Sequence, residues 1–118
     1  MAIAYRTSHT ITCVHVYDDA ITEPTKPTAS DLWVMAAGQP TECTRVKVRV
    51  LSGDETARVQ DGGDDANKIA CELGLVSIDG EAVEVAELVD AMKVAIAELV
   101  LVSSLVPFGR RLAALAKD

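Results

Sequence analysis

The chain has 118 residues and a mass of 12.5 kDa, 49% of it apolar and 25% charged, the size and composition of one soluble globular domain. Aromatic residues make up 3% of it (Tyr5, Tyr17, Trp33 and Phe108), too few for the stacking platforms of single-stranded nucleic-acid binders. The net charge of -7 disfavours a general binder of phosphate backbones, so no nucleic-acid partner is expected.

The first residues show no basic stretch followed by an apolar one, so no signal peptide is expected. Thr10 to Tyr17 alternates with many β-branched residues and predicts a strand, with Ile11, Cys13, His15 and Tyr17 on one side. Asp18 to Ser30 carries Pro24 and Pro27 and predicts a loop. Ser30 is placed to cap a short helix or turn over residues 31–37, stopping at Gly38 and Pro40. Residues 1–42 thus form a strand and proline-containing loop region within a single domain spanning 1–118.

Residues 43–83 form a strand–helix–strand region. Cys43 to Leu51 predicts a strand with Val46, Val48 and Val50 on its core face and Arg45, Lys47 and Arg49 opposite. That basic row either docks an acidic partner or faces solvent and guards against edge pairing. Ser52-Gly53-Asp54-Glu55 matches a capping box, opening a helix through about Gln60. Asp61 to Asp65 breaks it, and Asp64 or Asp65 is placed to cap a second helix that ends at Gly74. Leu75 to Val83 predicts a strand with a turn at Asp79-Gly80, or a short hairpin arm.

From about Glu84 the period lengthens. Val85, Leu88, Val89, Met92, Ile96, Leu99 and Val100 make one helical stripe, while Val94, Leu101 and Leu105 fall outside it. A helix apolar nearly all round needs two partners, which marks Val94, Leu99, Leu101 and Leu105 as residues expected to meet another protein or another copy. The apolar stretch from Val94 to Phe108 is shorter than the roughly 20 residues of a bilayer span, so no membrane partner is expected. Pro107 ends or kinks this helix, and Arg110, Arg111, Leu112 and Leu115 form a last basic amphipathic segment of the helical region 84–118. The whole reads as an α+β fold, a small, mostly antiparallel sheet packed against C-terminal helices.

Charge is unevenly distributed. Twelve acids face three bases between Gly53 and Glu98, whereas residues 99–118 hold three bases and one acid. Opposite patches on one small body favour head-to-tail or ring-like association, although charge on an ordinary solvated surface has the same appearance.

Chemistry-bearing motifs are sparse. Cys13, Cys43 and Cys71 lie about thirty residues apart with no C-x-x-C pair, which fits a reducing compartment. Cys13 and His15 project from one strand face, but a metal site would need His9, Cys43 and Cys71 to converge from separate elements, and buried thiols with a strand-face histidine account for them more simply. Ser8, His9 and Asp18 or Asp19 have the residue types of a triad without a positioning turn. Three Asp beside Gly62-Gly63 would repel a phosphate there. No metal, cofactor or catalytic residue is expected. A small metal-binding or enzymatic domain using Cys13 and His15, and an acidic regulatory or antitoxin-like module, are the alternatives.

Val46-Lys47-Val48-Arg49-Val50-Leu51-Ser52-Gly53-Asp54-Glu55 resembles the strand and capped-helix opening of tail assembly chaperones and similar minor tail proteins of tailed bacteriophages. Ile78-Asp79-Gly80-Glu81 followed by Ala86-Glu87-Leu88-Val89-Asp90 resembles their D-G turn leading into a leucine-bearing helix. The likeness covers residues 44–105, with Val50 where that group carries proline. It implies a non-enzymatic protein that binds other tail or virion proteins, either as a chaperone in the host cytoplasm during assembly or as a subunit of the virion; self-association is expected from the apolar helix.

Overall fold

A computed structural model of the chain describes residues 10–22, 27 and 32–117, with side chains described as far as Ser104. In chain order these form β1 (Thr10–His15), β2 (Trp33–Met35), β3 (Val46–Arg49), α1 (Gly53–Asp61), a 3-10 turn at Gly63–Asp65, α2 (Ala66–Gly74), β4 (Leu75–Ile78), a second 3-10 turn at Val85–Glu87, and α3 (Asp90–Lys117). The strands make one antiparallel sheet in the order β2-β1-β3-β4, and the helices pack against it, the expected α+β arrangement.

The strand β2 replaces the short helix or turn expected over 31–37. Trp33 and Val34 are both buried but on opposite faces, an arrangement only an extended backbone gives adjacent residues. Pairing with β1 (Cys13↔Met35, Val14↔Val34, His15↔Trp33) satisfies the backbone and outweighs local helix signals. The sheet is consequently covered on both faces. Cys13, Trp33, Val46 and Val48 face the helices, while Val14, Val34, Ala36 and Cys43 form a small second cluster behind.

The capping box forms as the sequence predicts: the Glu55 amide donates to Ser52 Oγ at 3.2 Å and the Ser52 amide donates to Glu55 Oε1 at 3.0 Å. For α2 the outcome differs. Asp65 occupies the N-cap position without capping through its side chain, because the 3-10 turn runs directly into the helix and its carbonyls take the first amides. The Asp79-Gly80 turn has positive φ at both residues (52° and 82°), the geometry of a type I′ turn, and it pairs Ile78 with Glu81, but the strand itself stops at Ile78.

Helix α3 starts at Asp90 rather than Glu84. Residues 85–87 make a single 3-10 turn and Leu88 is extended, while the Val89 carbonyl accepts the amides of Met92 and Lys93. The β-branched Val83, Val85 and Val89 weaken helix propensity here, and Val85 and Leu88 turn onto the core. Further along, Ala95, Ile96, Ala97, Leu99 and Val100 are all buried, more than one stripe. They are covered by the sheet on one side and by α2 on the other. Thus, as far as Ser104, both partners that this apolar helix requires lie in its own chain. The helix continues past Pro107 to Lys117: proline removes one backbone donor, and the turns on either side still carry the helix.

Two long-range bonds lock α3 in place. The Trp33 indole N–H donates to the Ala95 carbonyl at 3.0 Å, and the Leu51 amide donates to Ser104 Oγ at 2.9 Å, which itself donates to the Val100 carbonyl. No helix of the described residues is long and apolar enough to cross a membrane.

Candidate functional site

Lys47 and Arg49 of β3 lie on the sheet face away from α3, Arg45 stands just before the strand, and both arginines are occupied internally. The Arg45 guanidinium donates to the carbonyls of Gln39, Pro40, Thr41 and Cys43 at 3.2–3.3 Å, gathering the loop that leads into β3. Arg49 grips Glu55 with both terminal nitrogens, a fork-on-fork pair. Lys47 lies between Thr12 and Ser77 in the strand register and forms no ion pair among the described residues.

Of the α3 residues expected to meet a partner, Leu99 is fully buried and belongs to the core, because it points between the sheet and α2. Leu101 is half-buried and Val94 is 53% exposed. The side chain of Leu105 lies outside the described ones. The structure therefore separates the basic row from the α3 residues, on opposite sides of the sheet.

What it brings together instead is an open groove of about 480 Å³ where the end of β1, β2 and the first turns of α3 meet. Trp33, Val46, Met92 and Ala95 make its apolar floor. His15 stands edge-on to Trp33, with ring centroids 5.1 Å apart, and tilts against Tyr17 at 5.7 Å. The Tyr17 amide donates to His15 Nδ1 at 3.2 Å, which holds the ring against the turn that follows β1. Tyr17 (77% exposed) and Val89 (69% exposed) form the groove's lips. Asp18 and Asp19 add two carboxylates. That of Asp18 is fixed, accepting the Ala20 amide on Oδ1 and the Thr44 amide on Oδ2, each at 2.9 Å.

Compared with known proteins, the chain matches no family model, no curated protein and no solved structure.

Cys13 lies beside His15 on the strand, but its side chain enters the core. Burial raises its thiol to about 12 and that of Cys71 to about 11, and burial followed by the charge of Asp18 raises Cys43. Burial thus disfavours the thiolate form at all three. Among the described residues no three His, Cys, Asp or Glu side chains are grouped to hold a metal ion. Ser8 and His9 lie outside the described residues.

Within the groove, His15, Tyr17, Asp18 and Asp19 were visible in the sequence as the end of a strand. Their neighbours Trp33, Val89 and Met92 were assigned to other elements. The available signal was local: an exposed tyrosine in the alternation of β1, followed at once by two acids.

Proposed function

We propose that this protein is a non-enzymatic binding module of tailed-phage assembly, a tail assembly chaperone or a virion structural subunit, acting in the host cytoplasm or in the particle through contacts with tail proteins and with itself. The observation that carries the reading is the groove. Its lips, Tyr17 and Val89, hold large apolar surface in water at the edge of an apolar floor, an arrangement that contributes to stability only when another chain covers it. Its volume lies in the range of sites that seat a short peptide segment or a few side chains. The resemblance across residues 44–105 supplies the class of partner.

The test is to read the genes beside this one and, where they encode tape-measure or tail proteins, to co-express them with it, followed by size-exclusion chromatography. A co-eluting complex is expected, and it is expected to be lost in the double variant Tyr17→Ser, Val89→Ser, whose circular dichroism stays native because both side chains are exposed. A gene neighbourhood without tail genes, or a complex indifferent to both substitutions, overturns the proposal.

A further inference from the structure

The groove has a chemistry of its own beyond being apolar. Its lining holds two carboxylates and two exposed or half-buried rings, His15 and Tyr17, and neither lysine nor arginine. The Asp18 carboxylate is aligned by two backbone amides, and Asp19 is exposed with no ion-pair partner among the described residues. Asp90 in the first turn of α3 offsets the positive helix end beside the groove. A guanidinium fits this set: it stacks on an aromatic face, forks onto a carboxylate, and leaves the neighbouring floor to aliphatic side chains.

This chain contains one segment of that description. Arg110-Arg111 is its only pair of adjacent bases, and leucines stand at 105, 112 and 115 around it in a part of the sequence where bases outnumber acids. The segment belongs to α3, the helix whose first turns form one wall of the groove. At ~1.5 Å per residue, the helix from Met92 to Arg111 spans roughly 28 Å. A straight helix therefore carries the arginines away from the groove of its own chain.

We propose that the groove of one copy receives the basic C-terminal segment of α3, around Arg110 and Arg111, from a second copy. This rests on the reading of the groove as a docking surface and names its occupant. The contact is heterologous, donor end to acceptor groove, so it builds rings where the rotation closes and filaments where it does not.

Sedimentation equilibrium of the full chain over a concentration series tests it. The wild type is expected to associate beyond a dimer, more weakly as salt rises. Asp19→Lys, and separately Arg110→Glu with Arg111→Glu, are each expected to weaken association by about tenfold or more, as like-charge contacts do. Combining Asp19→Lys with the two Glu substitutions is expected to recover most of the loss. A chain that stays monomeric, or association that ignores both charge reversals, overturns the proposal. If the chain is monomeric yet Tyr17→Ser with Val89→Ser still abolishes the complex with tail proteins, only this occupant is wrong; if neither form of binding exists, the functional reading falls as well.

Discussion

Glu55 serves two partners at once, which makes it the residue where electrostatics and helix capping meet. The hydrogen bonds from Arg49, and after them the one from the Ser52 amide, hold its carboxyl down at about 2, against an ordinary value of 4.5. A carboxyl lowered on folding contributes stability that is complete above its unfolded value and disappears as pH falls toward the folded one. The pair ties the end of β3 to the start of α1, so its loss is felt in both. Glu55→Gln keeps the capping geometry, which glutamine also satisfies, and removes only the charge. Its expected cost is ~1 kcal/mol at pH 7, the upper end for an ion pair partly screened by solvent. Because the wild type gives up that contribution between about pH 4.5 and 2, the two proteins are expected to converge in urea-unfolding stability across that window. A gap that stays constant with pH would show that the charge of Glu55 contributes nothing.

At the scale of elements, the local signals that succeeded were those with a mechanism inside a few residues. Ser52 and Glu55 cap each other whatever surrounds them, and Asp79-Gly80 takes positive φ because aspartate and glycine tolerate it. Alternation in β3 placed Val46 and Val48 on the core side correctly, whereas in β1 it put Cys13 and Val14 on opposite sides without telling which is core, and both are buried. The failures were elements decided from a distance. Residues 33–35 are a strand because β1 offers them a ladder, and α3 begins late because Val85 and Leu88 are drawn onto the core. The crossing of α2 and α3 was equally hidden, since Gly74 looked like an ordinary helix stop. In the fold a Cβ at Gly74 would lie 2.5 Å from Val100 Cγ1 and 3.1 Å from Val100 Cβ, so the last turn of α2 seats directly on α3. Gly74→Ala is therefore expected to destabilise by about 1–3 kcal/mol, as overpacking of a tight contact does. Adding Val100→Ala makes room for the new methyl, so the double variant is expected to be more stable than the two single losses added together predict. Additive losses in chemical denaturation would mean that the contact is not what Gly74 serves.

For the whole molecule, the central question is which apolar surface belongs to folding and which to association. The sequence shows an apolar α3 but not how much of it the chain covers, because that depends on where α2 and the sheet are placed in space. As far as Ser104 the answer is nearly all of it on the Ile96, Leu99 and Val100 side, while the large apolar side chains left in water are Val94 on α3 itself and Tyr17, Met35, Val76 and Val89 in other segments. The groove was illegible for the same reason: β1, β2 and the start of α3 converge on it from three stretches of chain. Substitutions with aspartate separate the two kinds of surface. Leu99→Asp places a carboxylate where no water or base reaches it, and is expected to cost 4 kcal/mol or more, roughly enough to unfold a marginal domain. Val94→Asp, on the half-exposed side of the same helix, is expected to change stability by only about 0.5 kcal/mol. Circular dichroism and thermal melting distinguish them: Leu99→Asp loses its cooperative transition, Val94→Asp keeps it. Loss of assembly in Leu99→Asp alone then reports unfolding and carries no information about an interface. A Leu99→Asp protein that remained folded, with a native melting transition, would reverse the assignment and place Leu99 at a surface shared with a partner.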